Sequence, residues 1–353
     1  MNPEKQAELN QHLDAIAKLL YEEADPAELT TLEGIEKNVR AQAQKHVLPQ
    51  LGGFFINAAT DRHSGKQRTV TSILGKLTLT TAQAQQLQVK SRTRWSPYFS
   101  KCCALVSANA SYQRAEEDIA MLTGVSISHS TLQRLVQRED WCEVEVSEPI
   151  EELSLDGGMI RLRTQKGQPG QWREYKALNV HGHGGAAFFK DNQGLISWVN
   201  QRQLAALLTC LGDGHDGVWN IFESIGTPEQ RIEVLDWYHL MENAHKVQAT
   251  AAQLSRIRAR LWRGETRQAI RYLRQERCRG ATGFINYLKH HSHRLIDYQA
   301  WQEAGHSIGS GRVESLVKQI GLRVKLPGAQ WRGENVAKVL KHRCAYLNGD
   351  FVA

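Results

Sequence analysis

The sequence predicts a mixed α/β fold, with a mainly helical region before the sheet and a helical insertion within it. Three observations carry this. Residues 151–191 hold three short alternating runs joined by turns, the pattern of hairpin-linked strands. Two further apolar runs, at 205–214 and 231–240, alternate with helical segments, as strands joined by crossover helices do. Residues 241–304 then keep a helical period almost throughout, and one more helix begins after the "GSG" at 309–311.

In chain order, residues 6–47 read as helices broken near Asp25-Pro26, because proline does not fit a helix interior. "RTVTSILGKLTLT" (68–80) is β-branched and alternating around Gly75, a hairpin signal. From Ser96 to Arg138 the period is helical again. "EDWCEVEVSEPIEE" (139–152) is acidic, holds Pro149 and reads as a linker. "EELSLDGGMIRLRT" (151–164) alternates on both sides of Asp156-Gly157-Gly158, and "KGQPG" (166–170) is a turn. "QWREYKALNVHGHG" and "GAAFFKD" are the next two strands, followed by a helix at 192–206. The strand "AALLTCLGDG" (205–214), the helix "GVWNIFESI" and the strand "RIEVLDWYHL" (231–240) lead into the long helical stretch, which breaks near Gly280–Gly283. The expected domains are 1–95, helical with a short hairpin; 96–140, a helix-turn-helix; 150–240, the first part of the sheet domain; 241–305, the helical insertion; and 306–353, a final helix and tail. This order fits an RNase H-like mixed sheet with an insertion.

With 353 residues, 41% apolar and 23% charged, the chain has the make-up of an ordinary globular protein and room for two or three domains. No apolar run approaches the ~18 residues of a membrane span, and "MNPEKQAELN" lacks a signal pattern. A cytoplasmic, nucleoid-associated protein with no membrane partner is expected. None of the six cysteines (Cys102, Cys103, Cys142, Cys210, Cys278, Cys344) forms a C-x-x-C pair, so reduced thiols are expected rather than a zinc ribbon or a disulfide framework. Net charge is +7, a mild pull toward polyanions. Its distribution says more: residues 1–60 carry nine acidic and five basic side chains, whereas residues 255–279 carry nine Arg against two Glu.

"YQRAEEDIAMLTGVSISHSTLQRLVQR" (112–138) has the form of a helix-turn-helix. Ala115, Ile119, Ala120 and Leu122 can form a buried stripe, and Gly124 can end that helix. Val125 and Ile127 would plug the turn, and Ser128 or Ser130 would cap the second helix. His129, Thr131, Gln133, Arg134, Gln137 and Arg138 are left outward, a set suited to base edges and phosphates. A plain helical hairpin with a solvated face fits the same segment.

Four acids stand out. Asp156 lies mid-strand before two glycines, Asp213 ends an apolar run, Asp236 lies in the next run, and Glu314 follows Val313 on a helix whose apolar face continues through Leu316, Val317 and Ile320. A carboxylate in an apolar strand needs a cation or hydrogen-bond donors. Several converging carboxylates repel, and a divalent ion resolves the repulsion; oxygen ligands favour Mg²⁺ or Mn²⁺. Two such ions, about 3.5–4 Å apart, serve phosphodiester chemistry. Singly, Asp156-Gly157 and Asp213-Gly214 also read as turns, and Glu314 as a helix-start acid. In "VLDWYHLMENAHK" (234–246), His239, Glu242 and His245 recur every third residue. That step drifts about 60° on a helix, so Glu242 and His245 read as helix surface.

The blocks "LSLDGG", "LGDGHDGVWN", "VLDWYH", "GSGRVES" and "GAQW…VLKHRCAYLNG" resemble bacterial insertion-sequence transposases of the ISKra type, from residue 150 or so to the C-terminus and less sharply over the helix-turn-helix. The resemblance implies a DDE transposase with an RNase H-like core. It implies cleavage and strand transfer at transposon ends, dependent on Mg²⁺ or Mn²⁺ and using two ions. Asp156 then corresponds to the first acid and Glu314 to the last. For the middle acid, Asp213 and Asp236 compete. In the wider Mutator-like and hAT-like group a catalytic Asp precedes a separate (Cys/Asp)-x-x-His motif, which Asp236 and His239 match. Asp156, Asp213 and Glu314 are therefore taken as catalytic metal ligands, with Asp236 and His239 as supports. The cysteine-rich element of many relatives is missing here: only adjacent Cys102-Cys103 stands in that half.

The implied partners are double-stranded DNA, as transposon ends and target, and a second copy in a homodimer or larger assembly. Arg256, Arg260, Arg263, Arg267, Arg271 and Arg274 recur every three or four residues and can share a face against a DNA backbone; a solvated basic helix fits equally. Trp331 could stack on an unpaired base or sit in the core. "KHHSHR" (289–294) reads as a polar loop or phosphate contact before a metal site. Two other functions suit the same features: a transposase-derived DNA-binding regulator without catalysis, and an RNase H-like structure-selective nuclease.

Overall fold

The structure, a computed structural model, describes residues 1–351, and its backbone divides into two compact units, Met1–Leu135 and Val136–Ala353. The first unit holds α1 (Pro3–Glu22), α2 (Leu32–Gln42), α3 (Leu48–Ala59), the hairpin β1 (Arg68–Ser72) and β2 (Gly75–Leu79), α4 (Thr81–Gln86), α5 (Pro97–Ser107), α6 (Tyr112–Thr123) and most of α7 (His129–Arg138). The break at Asp25-Pro26 and the hairpin match the sequence reading; α3 and α4 were not part of it. No residue of α1 or α2 is buried.

Packing in this unit is tightest around α5, α6 and α7. Phe99, Cys103, Ala115, Ile119, Val125, Ile127 and Leu132 form one cluster. Gly124 ends α6 at φ +71°, a left-handed conformation that a Cβ opposes. The helix-turn-helix sequence thus forms two helices around a plugged turn. Two expected core residues are not fully in the core: Ala120 is half-buried and Leu122 is 67% exposed, whereas Val125 and Ile127 join the cluster. Ser128 stands just before α7, where its carbonyl accepts the Leu132 N–H at 3.0 Å and its hydroxyl lies 2.9 Å from that of Thr131, and the Glu116 carboxylate accepts the His129 N–H at 2.7 Å.

The second unit is built on a five-stranded mixed α/β sheet of β3 (Ile150–Leu162), β4 (Gln171–Val180), β5 (Gly184–Phe188), β6 (Leu204–Gly212) and β7 (Arg231–Leu235). Its order is β5-β4-β3-β6-β7. β3–β4 and β4–β5 are antiparallel, β3–β6 and β6–β7 parallel. Parallel neighbours need crossovers, supplied by α8 (Asn192–Asn200) and α9 (Asp216–Phe222). β3 is central and covered on both faces, so Leu153, Ser154 and Leu155 are all buried in succession.

After β7 come α10 (Trp237–His245) and then α11 (Ala251–Trp262), α12 (Thr266–Glu276), α13 (Ala281–His290) and α14 (Tyr298–Glu303), in the stretch expected to be helical. Tyr298 ties it to the sheet. The ring is fully buried against Trp237, and its hydroxyl donates to the Leu235 carbonyl at 2.7 Å. The chain then returns as α15 (Gly311–Val324), which packs on β3 and β4. The expected C-terminal tail is instead a second helix, α16 (Gly333–Leu347), packed on β5 and burying Val336, Val339, Leu340 and Cys344. No helix among the described residues is long and apolar enough to cross a membrane.

Candidate metal centre

Sheet register brings the three aspartates together. In the parallel β3–β6 pair Ser154 lies opposite Leu211, and in β6–β7 Gly212 lies opposite Leu235. Continued by two residues and by one, these registers set Asp156, Asp213 and Asp236 level on three neighbouring strands, each step about 4.8 Å. The Asp236 N–H donates to the Gly212 carbonyl at 2.8 Å, fixing the last step. The charge of Asp213 acts on both Asp156 and His239, which places these groups within one field. Glu314 reaches the group from the first turn of α15.

The two strand-end acids are held differently. Asp236 does not continue a strand, as the sequence suggested; β7 stops at Leu235 and Asp236 caps α10. Its Oδ1 accepts the His239 N–H at 2.8 Å, and its Oδ2 accepts both the Ser310 N–H and, at 2.7 Å, the Ser310 hydroxyl. The side chain is fully buried. Burial pushes its carboxyl pKa up, but the bonds from His239 and Ser310 outweigh burial and hold it below the usual range. Asp213 is half-buried and has one such restraint, the His215 N–H at 2.9 Å to Oδ1.

Asp156 is held with Oδ1 2.6 Å from the Gly157 nitrogen. Its pKa is raised, first by burial and then by the charges of Asp213 and Glu314, with Gly157 and His239 opposing. Asp156 therefore sits within the field of both other acids. His239 Nδ1 lies 3.4 Å from Asp236 Oδ1 and 3.8 Å from Glu314 Oε1, as an ion pair with each and without a closed hydrogen bond. Asp236 is the main reason its pKa rises to about 9, against burial and with Glu314 and Asp213 adding. At neutral pH the ring is a cation among acids. Asp236, His239 and Glu314 each offer a ligand atom, and these atoms lie within 4.8 Å of one another.

No family model and no curated protein matches this chain.

The loop before Glu314 is tethered three times. Besides the Asp236–Ser310 clamp, the Trp237 N–H donates to the Ile308 carbonyl at 2.9 Å and the Ser307 N–H to Glu152 Oε1 at 3.2 Å. Glu152 also pairs with His181 Nδ1 at 3.0 Å, whose Nε2 meets the buried Ser154 hydroxyl at 3.2 Å. Ser307, Ser310, Glu152 and His181 were not singled out from the sequence. For His181 and Ser310 the signal was a polar residue next to glycine in "VHGHG" and "SIGSGR"; Glu152 and Ser307 carry no such signal.

Of the expected DNA-facing residues on α7, His129, Gln133, Arg134 and Arg138 are exposed, whereas Thr131 and Gln137 are half-buried. His129 is also engaged, its Nδ1 2.9 Å from Glu116. The six arginines do not share one face, because they lie on α11 and α12 with a turn at Gly264 between. Arg256 remains exposed. Arg260 stacks 4.8 Å over the Tyr272 ring, and Arg263 pairs with Glu265 at 3.3 Å. Arg267, Arg271 and Arg274 instead line a groove of about 470 Å³ with Lys289, the first residue of the "KHHSHR" stretch. Trp331 cannot stack on a base as placed. It is 8% exposed, its indole N–H donates to the Val324 carbonyl at 2.9 Å, and its backbone bridges to β3. In "KHHSHR", His290 pairs with Asp216, and Arg294 and His293 with Glu233.

Proposed function

We propose that this chain is a DDE-type transposase of the ISKra type, with an RNase H-like core, that cuts and joins DNA using Mg²⁺ or Mn²⁺. The observation that carries the reading is the row of three aspartates at one level of adjacent strands, faced by Glu314 from α15. The strand order supports the core assignment: numbered from β3, the first strand lies central, flanked by its antiparallel hairpin partners on one side and two parallel strands on the other.

Asp156, Asp213 and Glu314 would hold the ions. The raised Asp156 pKa fits this, since crowded acids favour any added cation. Bound divalent ions supply a nucleophilic oxygen at neutral pH and stabilise the leaving oxygen. The protein's own parts have separable tasks. Asp236 fixes Ser310 and so sets where Glu314 stands; His239 bears positive charge between Asp236 and Glu314; Arg267, Arg271, Arg274 and Lys289 would draw in phosphates. The exposed face of α7 would read or grip a transposon end, and two copies would pair two ends.

A second reading has its own support. Asp236, His239 and Glu314 are the residues whose ligand atoms come closest together, which suits a single ion bound with Asp236 in the middle place. Asp236 is the weaker ligand because both of its oxygens already accept hydrogen bonds in a fully buried position.

The test is incubation of the full chain with paired element-end DNA and Mg²⁺ or Mn²⁺. Cutting followed by joining supports the transposase. Cutting alone indicates a nuclease, and binding without cutting indicates a regulator.

A further inference from the structure

Tyr287 belongs to the insertion, on α13, yet its hydroxyl lies at the acid row. The ring is fixed: it stacks on Phe284 with centroids 6.3 Å apart and meets His291 edge-on at 4.6 Å. The hydroxyl lies over Gly214, the residue after Asp213. A Cβ built there would stand 2.5 Å from the phenolic oxygen, and Gly214 has φ +96°. Two separate demands thus keep this position glycine.

The same hydroxyl is buried and closes no hydrogen bond, although the Asn243 side chain lies near enough to lower its pKa slightly against the stronger effects. A buried donor left unpaired is unfavourable, and phenylalanine would pack the same ring without it. The environment is one that wants a donor. Burial raises the phenol's pKa, and the charges of Asp213 and Asp236 raise it further, so it keeps its proton. Asp213 meanwhile has one oxygen tied by His215 and the other without a bond in the structure.

We propose that Tyr287 is a positioning residue for Asp213: its hydroxyl donates to the Asp213 carboxylate when that carboxylate binds a divalent ion. The insertion then contributes to the metal centre as well as to the DNA surface. This rests on the reading of Asp213 as a ligand. Outer hydrogen bonds to metal-binding carboxylates commonly change metal affinity by about 10–100-fold.

Tyr287→Phe isolates the hydroxyl. Mn²⁺ binding to the full chain, followed by electron paramagnetic resonance, should weaken about tenfold or more. Thermal stability without metal should stay level or rise, since the variant removes an unsatisfied donor. A purely structural role predicts the reverse: lower stability and unchanged Mn²⁺ binding. Unchanged Mn²⁺ affinity in Tyr287→Phe overturns the proposal when Asp213→Asn still weakens binding. If Asp213→Asn also binds Mn²⁺ like the wild type, the ligand assignment beneath it has failed instead.

Discussion

The ends of β6 and β7 are neighbours in one sheet and finish in the same residue type, yet they are built for different ends. At β7, Asp236 is fully buried and accepts from His239 and twice from Ser310. At β6, Asp213 is half-buried, has one backbone donor and is followed by a glycine pressed under Tyr287. A carboxylate saturated by donors holds the fold together, while one short of donors is available to a cation.

The largest expected contrast comes from alanine at each position. Asp236→Ala leaves the buried Ser310 and His239 donors unpaired and should cost about 3–5 kcal/mol in urea unfolding. Asp213→Ala should change stability by less than about 1 kcal/mol while lowering strand cleavage about a thousandfold, or roughly 4 kcal/mol of barrier. The opposite pattern would exchange the two roles.

Next in size is a pH effect from the layer behind Tyr287. His291 is 1% exposed, and burial, then the charges of His290 and Arg294, lower its pKa to about 4, with Asp216 opposing and His293 adding. The folded state therefore favours the neutral ring. The unfolded chain binds the extra proton between pH ~6.5 and ~4, so stability is complete above that window and is lost as pH falls through it. The loss should approach about 3 kcal/mol by pH 4, and His291→Phe should flatten that part of the stability–pH curve.

The smallest effects concern DNA. Arg271→Ala in the groove should weaken binding evenly across sequences and reduce the salt slope by about one. Arg260→Ala, on the ring of Tyr272, should leave the slope unchanged. Equal slopes for the two variants would mean that the groove is not where phosphates bind.

The acids were legible in the sequence because a carboxylate in an apolar strand run is conspicuous, and Asp156, Asp213 and Glu314 needed nothing further to be noticed. The hairpin-linked strands, the two helices within 112–138 and the helical stretch after β7 were legible from periodicity. The different hydrogen bonding of Asp213 and Asp236 was not legible because it depends on Ser310, which is 74 positions away from Asp236 in the chain. Tyr287 was hidden for the same reason: one aromatic among many in a helical stretch says nothing until Gly214 is seen beneath it. Trp331 and the arginines went wrong differently. Their types suit DNA, but core packing claimed Trp331, and the turn at Gly264 divided the arginine face.

The most direct test is Mn²⁺ binding to Asp213→Asn, a change of charge with little change of shape, measured by electron paramagnetic resonance beside the wild type. The account predicts at least a tenfold loss of affinity, about 1.4 kcal/mol, with unfolding unaltered. Wild-type affinity in that variant would contradict it and would move the metal centre to Asp236, His239 and Glu314.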